Sequence, residues 1–316
     1  MINKVNILNI VTNNSLELDR AGNTFVLDEI DWDSPSVSME TYRVPCQVGE
    51  TLAGVMVGTR KPTITGYIIA DMSKQSPLGM TWTEYYDLQG QMIEESKLVL
   101  DKVISIYQDV QIEANGYYLD ARPTQPPKYS NKEKENNKVL CYFELEFECY
   151  NNPLFYQSSK TVNLATIIGK FHFPLVIPRT EKLIFGEIMR RQSMSIENNG
   201  DVNAGCVIKI SANGGSVKDP KVYNVNTGDY IGFENVTLQD GDYITITTDI
   251  GEENAIKHIA ETAENFSVVG SITQGSKFIQ IQQGSSFYAY DVGEEYRNNI
   301  EVSVMFTEKY FNVRGM

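Results

Sequence analysis

The chain has 316 residues and a formal net charge of -14, from 41 acidic and 27 basic side chains. Hydrophobic residues make up 41% and charged residues 22%, which is typical of a folded globular protein and excludes extended disorder. The acidic balance argues against general affinity for nucleic acid or an anionic membrane surface, because both require a basic footprint. A chain of this length usually forms two domains.

Targeting and redox signals are weak in this sequence. The first 20 residues lack the apolar core and small-residue cleavage site of a signal peptide, and no stretch approaches the roughly 20 apolar residues of a membrane span. We therefore expect folding in a cytoplasm. The four cysteines form no CxxC pair and show no metal-ligand spacing, so we expect buried or idle thiols and no bound metal. They are Cys46, Cys141, Cys149 and Cys206.

One helix is predicted in the first half, over residues 81–97. Thr81 and Glu84 have the spacing of a capping box, with Thr81 as the N-cap. Apolar residues then recur at near-helical spacing, at Tyr85, Leu88 and Met92. Gly90 lowers the helical propensity by about 1 kcal/mol. The first half therefore indicates a β-sheet that carries one helix.

The segment 122–138 reads RPTQPPKYSNKEKENNK and contains three prolines, seven charged residues and no aliphatic side chain. Such a composition cannot supply a core of its own. We therefore predict a projecting loop or hairpin arm between two strands. Its candidate assembly residues are Pro123, Pro126, Pro127, Lys128, Tyr129, Lys132 and Lys134.

The segment 138–150 alternates apolar and acidic residues over an unusual length. Period-two alternation predicts a strand with an apolar face and a face that carries Glu144, Glu146 and Glu148. The strand is expected to stop at the Asn-Asn-Pro run that begins at Asn151, since proline lacks a ladder donor. We place the domain boundary just beyond it, giving domains of residues 1–157 and 158–316.

The second half predicts many short strands separated by turns. Strands are expected over residues 205–211, 243–248, 277–282 and 300–306, with turn residues such as Asn213-Gly214-Gly215 between them. Frequent short strands are typical of β-sandwiches and barrels. The fold class is therefore mainly β: an α+β first domain with one helix and a β-sandwich second domain.

The residues expected of an enzyme are few. The two histidines, His172 and His258, have no sequence neighbours that mark a catalytic triad. The adjacent glutamate pairs point in different directions on any regular element and indicate solvated faces. No phosphate-binding glycine motif is present. We expect no enzymatic activity and no cofactor.

Several segments, taken in order, resemble the distal tail protein family of bacteriophages with long, non-contractile tails. They are residues 42–45 with Gly49, 60–68, the helix at 81–97, 143–155, 173–178, 196–201, 219–224 with Thr227-Gly228, and 305–313. Residues 98–122 depart most from the family pattern. Each segment is weak alone, and their order over nearly the whole chain carries the resemblance.

The resemblance implies a structural virion protein at the tail tip, assembled in the cytoplasm of the host bacterium. It implies a hexameric ring, with two rings possible back to back, that joins the tail tube to the baseplate. An N-terminal domain with a belt hairpin would close the ring. A galectin-like C-terminal sandwich would support receptor-binding and other host-attachment components. DNA would only pass through the central channel.

Two sequence features fit these implications. The arm over residues 122–138 is a candidate for the intersubunit belt, since a head-to-tail contact that closes by rotation makes a ring. Glu144, Glu146 and Glu148 are candidates for lining the channel, because like charge keeps the polyanion from sticking. A plain solvent-facing strand explains the same three residues equally simply.

Two other function classes stay open at this point. A lectin-like second domain could contact cell-wall carbohydrate directly, although both tryptophans, Trp32 and Trp82, lie in the first half. A tail-associated cell-wall hydrolase is the third hypothesis, but the sequence nominates no acid or nucleophile for it.

Overall fold

The computed structural model describes residues 2–70, 79–135, 138–169, 186–190 and 193–313; the side chains of residues 131–139 and 165–192 lie outside this description. The chain separates into two compact units. The first runs to Gln157 and includes the segment that starts at Tyr310, and the second runs from Ser158 to Lys309. Residues 173–178 and His172, singled out above, lie outside the described part.

The first unit is a β-sheet with one helix. Its helix is α1 (Trp82–Val103). Its strands up to the end of the continuous segment are β1 (Lys4–Asn9), β2 (Ser15–Asp19), β3 (Phe25–Asp31), β4 (Val37–Tyr42), β5 (Thr51–Val57), β6 (Thr63–Ile69), β7 (Val110–Ala114), β8 (Tyr117–Pro123), β9 (Lys128–Glu135), β10 (Lys138–Glu148) and β11 (Phe155–Tyr156).

The strands of the main sheet close on themselves. Their order is β11-β8-β7-β1-β2-β3-β6-β10-β9, and β8 also pairs with β10 where Pro123 lies opposite Phe147. This extra pairing makes a circuit of seven strands. The circuit is antiparallel except for the short parallel contact of β2 with β3. Strand β9 lies outside the circuit, as an added strand beside β10.

The predicted alternation explains which side of this sheet is buried. Along β10, Cys141, Phe143, Leu145 and Phe147 are buried, whereas the glutamates between them are half-exposed. The buried side chains join those of α1 in one apolar core. The strand prediction for residues 138–150 is therefore confirmed.

The helix begins as predicted and extends further. Thr81 and Glu84 form the reciprocal capping box. The predicted end near Lys97 was too early, because Leu100 and Val103 continue the buried face that starts at Ile93. The cap residue Ile104 donates its backbone N–H to the Leu100 carbonyl.

The second unit contains thirteen strands among the residues that the structure describes. They are β12 (Lys160–Gly169), β13 (Gly186–Arg190), β14 (Met194–Asn198), β15 (Cys206–Ala212), β16 (Val217–Lys218), β17 (Lys221–Asn224), β18 (Tyr230–Gly232), β19 (Thr237–Leu238), β20 (Tyr243–Thr247), β21 (Asn254–His258), β22 (Asn265–Ser267), β23 (Gly284–Asp291) and β24 (Ile300–Phe306).

Two sheets share the core of this unit. One has the order β13-β12-β24-β15-β20-β21-β22, and the other β14-β23-β17-β18. Ile208 and Val302 of the first sheet and Val222 and Tyr288 of the second belong to the same buried cluster, so the unit is a β-sandwich. The mainly β fold class is confirmed.

Two sequence expectations for the second half need correction. Residues 277–282 form no strand: Ile279 and Ile281 are buried, but the backbone makes an isolated bridge between Ile281 and Ala204 and a hydrogen bond from Lys277 to Tyr230 instead of a continuous ladder. The alternating burial of residues 277–282 therefore reflects side-chain packing and not hydrogen bonding in a β-ladder. The last strand, β25 (Lys309–Tyr310), lies beside β11 at the edge of the first sheet.

The second domain was predicted to span residues 158–316, but the segment that starts at Tyr310 belongs to the first unit. Tyr310 packs edge-on against Tyr117, with ring centroids 5.3 Å apart, and Val313 is buried in the first core. The chain returns to its first unit because these two apolar side chains are buried there.

Candidate assembly surfaces

The predicted acidic row lies on the outer side of the first sheet. Glu144 faces Thr65 of β6 and Lys128 of β9, and Glu146 faces Thr63. All three glutamates, Glu144, Glu146 and Glu148, are half-exposed. The row therefore belongs to the solvent side of the sheet, opposite the core.

Lysines offset much of the charge in this row. The Lys128 ammonium contacts Glu144 at 3.3 Å and also donates to Glu146, and Lys61 lies 3.6 Å from Glu148. The pKa of Glu146 is lowered, most by the hydrogen bond from Lys128 and next by a hydrogen bond with Glu144. Three carboxylates with two lysine partners leave only a mildly acidic surface.

The predicted arm is largely a docked strand. Tyr129 of β9 is half-buried, its hydroxyl donates to Asp101 of α1 at 2.7 Å, and the Lys97 ammonium lies 5.0 Å from its ring centre. Burial and the Asp101 carboxylate raise the pKa of this hydroxyl. Pro123 is buried at the end of β8, so it offers no free surface.

The remaining arm residues are more open or are described only as backbone. Pro126 is exposed and Pro127 half-buried in the turn before β9. Lys132 and Lys134 lie in β9 opposite Cys141 and Val139, and their side chains fall outside the described part. The geometry thus gives the segment one exposed turn and one edge strand.

A different hairpin stands free of the core. Among the described strands, β4 and β5 pair only with each other, and all six residues of β4 are exposed. Apolar side chains are nevertheless concentrated here, with Met39 68% exposed. The others with large exposed surfaces are Val37, Tyr42, Leu52, Val55, Met56 and Val57. A two-stranded hairpin alone is only marginally stable in water, so this surface calls for a partner.

The two faces of this hairpin differ. The register places Val37 opposite Val57 and Met39 opposite Val55. Alternation puts these four side chains on one face, with Ser38, Glu40 and Met56 on the other. We call the four residues Val37, Met39, Val55 and Val57 the hairpin's apolar face. Sequence reasoning missed it, although the alternation of residues 37–40 and the apolar pattern of residues 52–57 were visible signals.

The hairpin leaves the sheet from an anchored base. The Gly58 backbone N–H donates to the Ser36 carbonyl at 2.7 Å, which closes the stem. Just outside it, Trp32 packs edge-on against Phe155 at 5.1 Å, and the Arg60 guanidinium lies 4.4 Å from the same ring centre. Phe155 therefore supports both ends of the hairpin.

Arg60 is unusual because it is fully buried with few partners. Its Nη2 donates to the Phe311 carbonyl, whereas Nε and Nη1 have no hydrogen-bond partner among the described residues. Burial lowers the pKa of the guanidinium. The base of the hairpin thus rests on packing against Phe155 more than on paired polar groups.

The groups that could support catalysis are poorly placed within the described residues. Burial raises the pKa of Cys149 and of Cys206 to about 12, which keeps both thiols protonated and unreactive. Cys46 is exposed. His258 stacks on Tyr243 at 4.3 Å. No group of three or more His, Cys, Asp or Glu residues suited to a metal occurs in the described part.

None of the helices in the described residues combines the length and apolarity needed to span a bilayer. An open cleft of about 340 Å³ lies between strands and turns of the second unit. Lys221, Tyr230, Asp291 and Glu294 contribute to its lining. The Lys221 ammonium covers one face of the Tyr230 ring, 3.7 Å from its centre.

Comparison with solved structures finds proteins of similar fold. The chain is similar to the Dit protein of phage SPP1, described as a paradigm of the hub of the adsorption apparatus in phages that infect Gram-positive bacteria. The TM-score is 0.58 at 13% sequence identity, over 96% of this chain and 98% of that one. A chain of the phage P2 baseplate in its activated conformation with Ca matches at a TM-score of 0.46 and 12% identity, over 99% and 100% of the two chains.

No protein-family model and no curated protein sequence matches the chain. The similarity to the SPP1 protein is therefore one of fold, and it extends over nearly the full length of both chains. The resemblance to phage distal tail proteins inferred from the ordered sequence segments is confirmed at the level of the fold.

Proposed function

We propose that this chain is a structural subunit of a phage tail tip, which forms a hexameric ring between the tail tube and the baseplate. The ring would surround a channel for DNA and support host-attachment components. The shared fold with a hub of an adsorption apparatus supports this proposal. Its location would be the virion tail tip, after assembly in the cytoplasm of the host.

The observation that carries the proposal is the free hairpin of β4 and β5. An apolar face on a ribbon that pairs with no other described strand is stabilised when another surface covers it. When that surface lies elsewhere on an identical chain, the contact is head-to-tail and can close into a ring. We therefore assign the assembly arm to residues 37–57 and not to 122–138.

The segment 122–138 keeps a secondary place in the proposal. Strand β9 is the last strand beside β10, and it is rich in lysine and glutamate. Charged edge strands disfavour further pairing. The exposed turn at Pro126 is one part of the segment that is accessible for a tail partner.

The acidic row is assigned to the channel wall of the ring. The solvent-facing side of β10 carries a weak negative potential from Glu144, Glu146 and Glu148. The potential is weak because Lys128 and Lys61 offset part of the charge of these carboxylates. A weak negative potential repels the phosphate backbone of DNA and keeps the electrostatic repulsion between neighbouring subunits small.

The second unit is assigned to attachment. We propose that its galectin-like sandwich presents the receptor-binding and other baseplate proteins. Direct carbohydrate binding is less favoured, because aromatic stacking on sugar requires an open ring face and Lys221 already covers one face of Tyr230. Binding of the full chain to cell-wall glycans on an array would reverse this preference.

Native mass spectrometry of the full chain, with negative-stain imaging, tests the proposed function. We expect six-fold particles, or two such rings face to face, at micromolar or higher concentration. Imaging should show a central opening. A monomer at every concentration, with and without a co-expressed tail-tube protein, would contradict the ring.

A further inference from the structure

We infer that the apolar face of the β4–β5 hairpin is received by the aromatic cluster at the start of α1 in the neighbouring copy. The inference rests on the proposed ring and names the surface that completes it. The aromatic cluster consists of Trp82, Tyr85 and Tyr86.

The exposed apolar surface of the aromatic cluster comes from Trp82, because Tyr85 and Tyr86 are half-buried and Tyr86 packs against the core of its own chain. Trp82 is 69% exposed, although an indole ring is among the costliest side chains to leave in water. Its ring centroid lies 6.1 Å from that of Tyr85 and 6.4 Å from that of Tyr86, and the two tyrosine rings are 6.0 Å apart. Exposed tryptophan and tyrosine are enriched at the energetic centres of protein interfaces.

The helix start holds these rings in a defined geometry. Thr81 accepts a hydrogen bond from the Glu84 N–H, and the Glu84 carboxylate accepts from the Thr81 N–H at 2.8 Å. The cap fixes the first turn, which carries Trp82 and leads directly into Tyr85 and Tyr86. A preorganised surface loses little conformational entropy when it is covered.

The apolar face of the hairpin matches the aromatic cluster in size and chemistry. Directly opposed side chains are about 5 Å apart across a hairpin and about 7 Å apart along one strand, so four such residues cover a patch comparable to three rings at 6 Å spacing. Met39 adds a thioether, which makes favourable contacts with aromatic rings.

The same chain carries both surfaces, which is the requirement for a head-to-tail ring. A hairpin that met another hairpin would make a two-fold contact and stop at a dimer. When the aromatic cluster of the next copy covers the hairpin's apolar face, two exposed apolar surfaces become buried at each interface. A second copy of this chain is therefore the occupant that the described residues favour.

The first unit has other exposed apolar residues among those described, such as Leu98 and Val99 of α1. Val11 and Tyr107 are strongly exposed on two loops that Asn9 links, since its side chain donates to Val103 and to Gln108. Because valine has no ring, these two residues do not form an aromatic surface like that of Trp82, Tyr85 and Tyr86. They provide the matched control position.

Cysteine cross-linking of the full chain tests the inference. In a Cys46→Ser background, Met39→Cys is combined with Thr83→Cys, which lies in the exposed first turn beside the rings. The control combines Met39→Cys with Val11→Cys. The three other cysteines are buried and serve as an unreactive background. A short bis-maleimide is added to concentrated protein, and denaturing gels reveal links between copies.

We expect a ladder up to a hexamer for the Met39–Thr83 combination and at most traces for the Met39–Val11 combination. We also expect Trp82→Ala to raise the concentration for half-assembly by about 30-fold, as for an interface hot spot. Tyr107→Ala should leave it unchanged.

The outcomes separate the two levels of proposal. A ladder only with Val11, or normal assembly of Trp82→Ala, would overturn the assignment to the aromatic cluster while the ring itself stands. If the Cys46→Ser parent and the wild-type chain form no oligomer by native mass spectrometry, the proposed function fails first and the assignment with it.

Discussion

The two hairpins of the first unit reverse the expectations from their composition. Strand β9 has almost no apolar side chains, yet it pairs along β10 and is tied to α1 through Tyr129. Strands β4 and β5 are rich in valine and methionine, yet within the described part of the chain they pair only with each other and stay exposed. Composition alone therefore failed to identify the free arm, because docking depends on which neighbouring strand offers an unpaired edge.

The difference has a physical basis in backbone pairing. Residues 128–135 follow β8 and lie next to β10, whose outer edge can accept a ladder from any side chains that tolerate extended backbone. The hairpin of β4 and β5 leaves between β3 and β6, which pair directly with each other. No unpaired strand edge is left between β3 and β6 for the hairpin to join, so its apolar face stays exposed unless another surface covers it.

The largest expected effect comes from placing a charge on the apolar face of the hairpin. Val55→Asp should abolish the ring, with at least about a 100-fold loss in association, because a buried unpaired carboxylate is strongly unfavourable. Size-exclusion chromatography with light scattering measures the loss. Circular dichroism should show an unchanged monomer, since Val55 is 52% exposed.

Met56→Asp is the matched control for this prediction. Met56 is the next residue on the same strand and has nearly the same exposure, but alternation places it on the opposite face. We expect it to retain assembly. Equal loss from both substitutions would show that the hairpin does not dock through one face.

The next effect concerns the base of the hairpin. Phe155→Ala should lower the free energy of unfolding by about 3–5 kcal/mol, because the ring is fully buried and supports both Trp32 and Arg60. Urea unfolding measures this loss, and hydrogen exchange should show faster opening near Gly58. Phe287→Ala, at a 47% exposed position of β23, should cost below about 1 kcal/mol.

Elements with strong local signals were predictable from sequence, and those set by long-range partners were not. The capping box of Thr81 and the alternation of β10 depend on neighbouring residues alone. The return of Tyr310 to the first core depends on a contact with Tyr117, which lies nearly 200 residues earlier in the chain. The free hairpin of β4 and β5 was not identified from sequence for the same reason, since its exposure depends on which strand edges are already occupied.

A smaller effect tests how firmly β9 is docked. Tyr129→Ala should cost about 2 kcal/mol, since it removes a half-buried ring from α1. Tyr129→Phe should cost about 1 kcal/mol, through loss of the hydrogen bond to Asp101. Urea unfolding and hydrogen exchange of the β9 amides measure both. If β9 were a free arm, both variants would match Tyr107→Ala, whose ring is 85% exposed.

The smallest effect concerns the pairing of Lys128 with the acidic row. Its hydrogen bond lowers the pKa of Glu146 in the folded chain. A depressed folded pKa contributes stability that is present above the ordinary glutamate value of 4.5 and is lost as the pH falls through the folded value. Lys128→Gln should therefore lower the melting temperature slightly at neutral pH and have no effect once Glu146 is protonated.

Salt and a second lysine sharpen this comparison. The difference between Lys128→Gln and the wild-type chain should shrink at high ionic strength, because the pair is exposed and screened. Lys61→Gln should have a weaker effect, since its contact with Glu148 is longer at 3.6 Å. A loss from Lys128→Gln that persists in acid would mean that Lys128 holds β9 through its aliphatic stem and not through the charge on Glu146.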